Sequence, residues 1–243
     1  MKHRRAGFIA MAALATASQA QSGRPAPSRI DDFIERVSRL RGQVEELAFQ
    51  PGKLFEFQRG REDIITVAYT GDDMGWPIYS IAIREVCRPR PGGRGCVPGR
   101  AARMVRAPAP PELTRPRQRG FSLMQQMLRS GAETPEQVAA AVDKAGLEWL
   151  EGDLDACEAA AEVIRQADRI EWVVPEIHSP DPSKLQAPVL HSDMVEVTFV
   201  TFARKSSYHG YVAERSPGEW AGRLAAALEP CWRPAAAPPP WRR

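Results

Sequence analysis

Apolar residues return every third or fourth position through Ile30, Phe33, Ile34, Val37, Leu40, Val44 and Leu47. Asp31, Glu35, Arg36, Arg39, Glu45 and Glu46 take the opposite side. This spacing predicts an amphipathic helix, capped by Ser28 with Asp31 three residues on and ended by Pro51-Gly52. Its polar face mixes both signs of charge, so the stripe reads as core contact rather than a membrane-surface device. The pattern then shortens to a period of two. Leu54 to Phe57, Asp63 to Tyr69, Ile78 to Val86 and Ala101 to Ala107 read as strands, with Tyr79, Ile81 and Ile83 on one face and Ser80, Ala82 and Arg84 on the other. Together they predict an antiparallel meander under the first helix.

Residues 107–119 interrupt the pattern with four prolines and read as an exposed linker. Beyond it, Phe121 to Arg129 predicts a short helix. Thr134-Pro135-Glu136-Gln137 is a strong helix start, with Val138, Ala141, Val142 and Ala145 inward and Gly146 as the stop. A helix from Leu154 to Asp168 follows. Met194 to Arg204 and Ser207 to Ala213 suggest a hairpin around Lys205. Ser216-Pro217-Gly218-Glu219 opens a last helix, which Pro230 stops. The fold class is therefore α+β: antiparallel sheet packed by amphipathic helices. Its expected parts are residues 28–106 (helix plus strands), the linker 107–119, and residues 120–232 (helices, hairpin and last helix). The sequence leaves open whether the two larger parts share one domain. The tail 233–243, rich in Ala and Pro, is expected to be disordered.

The first twenty residues set the expected address. Met1 to Arg5 is cationic, Ala6 to Ala17 is uncharged and apolar, and Ser18-Gln19-Ala20 suits a cut ahead of Gln21. This is the layout of a cleavable secretory signal, too short in its apolar run to span a bilayer. Residues 21–27 form a polar leader. No later stretch is long and apolar enough for a span, so a periplasmic or secreted protein is expected. Lys2, Arg4 and Arg5 leave with the signal, and 30 basic residues then balance 30 acidic ones. Overall charge thus gives no warrant for nucleic-acid binding.

Export changes the reading of the four cysteines, which become two expected disulfides. The favoured pairing is Cys87–Cys96, across a turn of Arg, Pro and Gly, and Cys157–Cys231, clamping the last helix to an earlier one. Chain entropy assigns about 2.7 kcal/mol to the short loop and about 4.5 kcal/mol to the long one. Four bridged cysteines leave no thiol nucleophile. Their spacing, and that of His178, His191 and His209, matches no metal-ligand motif, so no metal or cofactor is expected. Nucleophile-elbow and phosphate-loop motifs are absent.

What remains is local charge. Arginines 84, 88, 90, 94, 100, 103, 106, 115, 117 and 119 are opposed only by Glu85 and Glu112. Arginine forks suit phosphate and carboxylate. Arg88, Arg90, Arg94 and Arg100, on or beside the Cys87–Cys96 loop, are the candidate anion-binding residues. The leading expectation is a non-enzymatic exported module that contacts anionic envelope material. Two rivals stand beside it. One is a hydrolase-like periplasmic enzyme using His209 or the Asp72-Asp73 pair. The other is a secretion or assembly accessory that docks on another envelope protein through its first helix, which would require an exposed apolar stripe.

Overall fold

The computed structural model describes residues 29–56, 63–71, 75–90, 92–110, 118–167, 170, 193–201 and 204–243. The signal, the leader, Asp72, Asp73, His178, His191, Arg115 and Arg117 lie outside the described residues.

The first helix, α1 (Arg29–Val44), carries Asp31 and Asp32 in its first turn and Arg41 in its last, each sign at the end its dipole favours. It runs on into one wider turn, Glu45–Phe49. Strands β1 (Asp63–Thr70), β2 (Pro77–Pro89) and β3 (Cys96–Arg106) form the expected meander. Helices α2 (Gln118–Ser130) and α3 (Pro135–Lys144) follow. The start of α3 is the predicted capping box: the Thr134 hydroxyl accepts from the Gln137 amide while the Gln137 side chain accepts from the Thr134 amide. Next come β4 (Glu148–Asp153), α4 (Glu158–Arg165), β5 (Met194–Thr201), β6 (Arg204–Tyr211), α5 (Pro217–Leu228) and β7 (Arg233–Pro234).

All seven strands join one antiparallel sheet in the order β6-β5-β1-β2-β3-β4-β7. The proline-rich segment therefore does not separate two sheets: β1, from before it, pairs with β5, from after it. Both faces of the sheet bear a core. Val37, Leu40, Val44 and Phe49 cluster with Ala82 and Val105 of the sheet and with Leu123, Met127 and Val142 of α2 and α3. On the opposite face, Ile65, Val67, Ile81, Ile83 and Met104 cluster with Ala160, Trp220, Leu224 and Leu228 of α4 and α5. Each large apolar side chain buried this way contributes about 1.5–3 kcal/mol relative to exposure. The molecule is thus α+β with helices on both faces of an antiparallel sheet.

Both predicted disulfides are present. Cys87–Cys96 has a Cα separation of 5.3 Å, and Cys157–Cys231 one of 6.0 Å.

Several local expectations are corrected. Leu54 and Phe55 are buried but not in a strand. Pro51–Lys53 make a tight turn, and the carbonyls of Leu54 and Glu56 accept from Arg103 and Arg84 instead of from a neighbouring strand. The predicted helix at Leu154 starts with one tight turn, Leu154–Ala156, breaks at Cys157 and resumes as α4. The hairpin turns earlier than expected, because Thr201 pairs with Arg204 and Lys205 already lies opposite Val200 within β6.

The tail is ordered rather than disordered. Arg233–Pro234 pair with Glu151 and Leu150 as β7. The Trp149 indole donates to the Ala237 carbonyl at 2.7 Å, and Trp241 meets Trp149 edge-on with ring centroids 6.4 Å apart. Trp241 and Arg242 both donate to Asp143. Prolines that exclude helix also reduce the entropy lost on ordering, and the tryptophan supplies the buried area.

Candidate functional site

Strand β2 keeps β1 beside it only as far as Arg84, and β3 keeps β4 only from Ala101 onward. Beyond those points, among the described residues, Glu85 to Pro89 pair only with Arg100 to Cys96. The chain thus builds a two-stranded ribbon that leaves the sheet, bolted near its end by Cys87–Cys96. Its turn carries Gly92 and Gly95 at φ of 69° and 103°, where other residues are strained. Arg90 and Arg94 are exposed on this turn, and Arg100 is half-exposed opposite Glu85. Among the described residues, none of these three meets a carboxylate within ion-pair distance.

The other described arginines of the run are held in the fold. Arg84 is buried, donating to Asp63 at 2.8 Å and to the Glu56 carbonyl at 2.8 Å. Burial raises the Asp63 carboxyl above its ordinary range, and the Arg84 hydrogen bond opposes that rise. Arg88, expected on the binding face, instead turns back to Asp153 and to Asp155, the latter at 3.0 Å. Its path crosses Gly99, where an added Cβ would sit 2.7 Å from the guanidinium Nε, so a bare backbone is needed for the crossing. Arg106 pairs with Glu148 at 2.6 Å and Glu229 at 2.8 Å, and Arg119 pairs with the same Glu148 at 2.7 Å. Burial alone would raise the Glu148 pKa. The hydrogen bonds from Arg119 and Arg106 outweigh it and hold the carboxyl below its ordinary value.

At the root of the ribbon lies a cavity of about 570 Å³, between the sheet face and the segments of Phe55–Glu56 and Ala237–Pro238. Arg84, Arg88, Arg103 and Arg233 line it together with Glu56, Glu151 and Asp153. Arg84, Arg103, Glu151 and Arg233 come from four different strands, so no sequence motif could have displayed them. The register does: Arg103 lies opposite Glu151, and Glu151 opposite Arg233.

Of the remaining candidates, only His209 lies among the described residues. His209 is exposed on β6, opposite Glu196, at the edge of a separate cavity of about 500 Å³ that also touches Arg41 and Glu45. Burial raises the Glu45 carboxyl, and the Arg41 charge opposes this. Among the described residues no group of three or more His, Cys, Asp or Glu is arranged to hold a metal, and there is no free cysteine. No helix among them is long and apolar enough to cross a membrane. At the start of α1, Ile30, Phe33 and Ile34 are 69%, 49% and 48% exposed, while Val37 and Leu40 are buried. Only the first turns of the helix thus present an apolar stripe. Comparison with known protein families, curated proteins and solved structures gave no match.

Proposed function

We propose that this protein is an exported binding module whose disulfide-closed ribbon contacts anionic envelope material. The observation that carries this reading is the ribbon itself: among the described residues it runs past its neighbouring strands and carries Arg90, Arg94 and Arg100 without an ion pair, Arg100 lying across from Glu85. A guanidinium held on a rigid scaffold loses less entropy on meeting a phosphate or carboxylate than one on a loose loop. The two disulfides suit an oxidising compartment.

The test is sedimentation with vesicles of phosphatidylglycerol and phosphatidylcholine over a salt series. Binding should require the anionic lipid and weaken as salt rises. The triple variant Arg90→Gln, Arg94→Gln, Arg100→Gln should abolish it. Undiminished binding by that variant would end the proposal.

The accessory reading is favoured by one observation, the exposed Ile30, Phe33 and Ile34. Its occupant would be an apolar segment of another envelope protein. Phe33→Ser with Ile34→Ser should then abolish that association and leave vesicle binding intact. Of the residues the enzyme reading names, only His209 is described; it lines a cavity together with Thr70 and Ser80, whose hydroxyls donate to the Met194 and Phe49 carbonyls.

A further inference from the structure

Among the described residues, one cation lining the cavity at the root of the ribbon has no carboxylate at ion-pair distance, although Glu151 lies opposite it in register. Arg84 has Asp63, Arg88 has Asp153 and Asp155, and Arg233 has Glu151 at 3.4 Å. Arg103 has none of these. Its guanidinium donates to the Leu54 carbonyl at 3.1 Å and lies over the Phe55 and Trp149 rings, at 4.7 and 5.7 Å from their centroids. A carbonyl and two ring faces are neutral partners. A guanidinium has five N–H donors, and Arg103, with one hydrogen bond to the Leu54 carbonyl, lines the cavity. Burial, then the nearby charge of Arg243, holds Arg103 below its ordinary pKa. Glu151 and Glu56 pull the other way, and Arg84 adds to the lowering.

We propose that this cavity binds a small ligand through one carboxylate on Arg103, with hydroxyl or ammonium donors of the same ligand meeting Glu151 and Glu56. The geometry favours a carboxylate because it matches two parallel N–H donors of the guanidinium edge. Glu151 on the sheet and Glu56 on the segment bounding the cavity accept hydrogen bonds and repel a second anionic group, so the ligand carries one negative group among donors. A volume of about 570 Å³ falls in the range of small-molecule sites and suits a sugar acid or a short peptide. Phe55, Val86, Ala101 and Pro238 supply the apolar wall such a ligand needs. This site is distinct from the ribbon turn, and neither reading depends on the other.

Titration of the ¹⁵N-labelled protein followed by amide NMR tests the proposal with galacturonate, diglycine and the neutral sugar galactose as probes. Galacturonate or diglycine should shift the Gly152 and Ala102 amides saturably, with a dissociation constant on the order of 1 mM for ligands of roughly a dozen heavy atoms. Galactose should leave them in place. Which acid binds distinguishes a sugar source from a peptide source. Arg103→Lys keeps a charge over Phe55 but loses the fork, and should weaken binding by about fivefold or more. The proposal is overturned if neither acid moves these amides, if galactose moves them equally, or if folded Arg103→Lys binds as tightly as the parent. The three probes on the unaltered protein decide the matter even if the variant does not fold. Loss of galacturonate binding with vesicle binding intact, or the reverse, separates this site from the ribbon.

Discussion

The arginines of one short stretch divide sharply at the root of the ribbon. Below it, where β2 and β3 have strands on both sides, Arg84, Arg103 and Arg106 are buried or half-buried and held by Asp63, by Leu54 and aromatic rings, and by Glu148 with Glu229. Above it, where among the described residues each strand pairs only with the other, Arg90 and Arg94 face solvent. Arg88 stands at the border: it grows from the ribbon but reaches back to Asp153 and Asp155. The side chain is the same throughout. What differs is whether the backbone beside it still belongs to the sheet. A run of positive charge is therefore two objects, a structural lattice and a display.

The largest test of that division is Arg84→Met. It leaves the Asp63 carboxylate buried without its partner and should cost about 3–5 kcal/mol in urea unfolding. A loss under about 0.5 kcal/mol would place Arg84 with the display.

Opening the ribbon comes next. Cys87→Ser with Cys96→Ser should lower stability by about 2–3 kcal/mol on chain entropy, while the sheet core keeps its near-ultraviolet dichroism. Loss of that signal would mean that the ribbon is part of the core rather than an extension of it.

Glu148→Gln removes the carboxylate shared by Arg106 and Arg119 and should cost about 1.5–3 kcal/mol at neutral pH. Its pH dependence has a definite sign. The Glu148 pKa is lower in the folded protein than its ordinary value of 4.5, so its contribution is complete above that value and is lost as pH falls through the folded pKa. The parent should lose stability there, and the variant should lose less. Equal acid limbs would show that the shared carboxylate does not drive the loss.

The smallest effect is expected at the turn. Arg90→Gln, Arg94→Gln and Arg100→Gln together should shift stability by no more than about 0.5 kcal/mol while abolishing vesicle binding. A larger destabilisation would show that these arginines also belong to the lattice.

Local chemistry was legible in the sequence wherever one element declared itself alone. The Thr134 capping box, the Ser216 cap, the stripe of α1 and both disulfides are all present. The sequence was silent where an element depends on distant neighbours. Glu148 to Asp153 has charges at three of six positions and no strict alternation, yet it is a strand because Arg106 meets Glu148, Arg233 meets Glu151, and β3 supplies the ladder. The tail read as disordered for the same reason, since its partners Trp149 and Asp143 lie about ninety residues earlier in the chain. The ribbon arginines could be named from the sequence, but the partners of Arg88 could not. The cavity was invisible because its walls meet only after the strands have taken their register.

The place of β1 between β2 and β5 fixes a timetable. The contact between Tyr69 and Asp193 spans 124 residues. At a synthesis rate of roughly 5–20 residues per second, one side of β1 waits about 6–25 s for its partner strand to be made. During that interval the strand offers a row of unpaired amides and carbonyls flanked by Ile65 and Val67, a template for pairing with other chains. An interior strand of the sheet is thus completed by a partner far along the chain, so the interior of the sheet, rather than its edges, depends on the longest-range pairing.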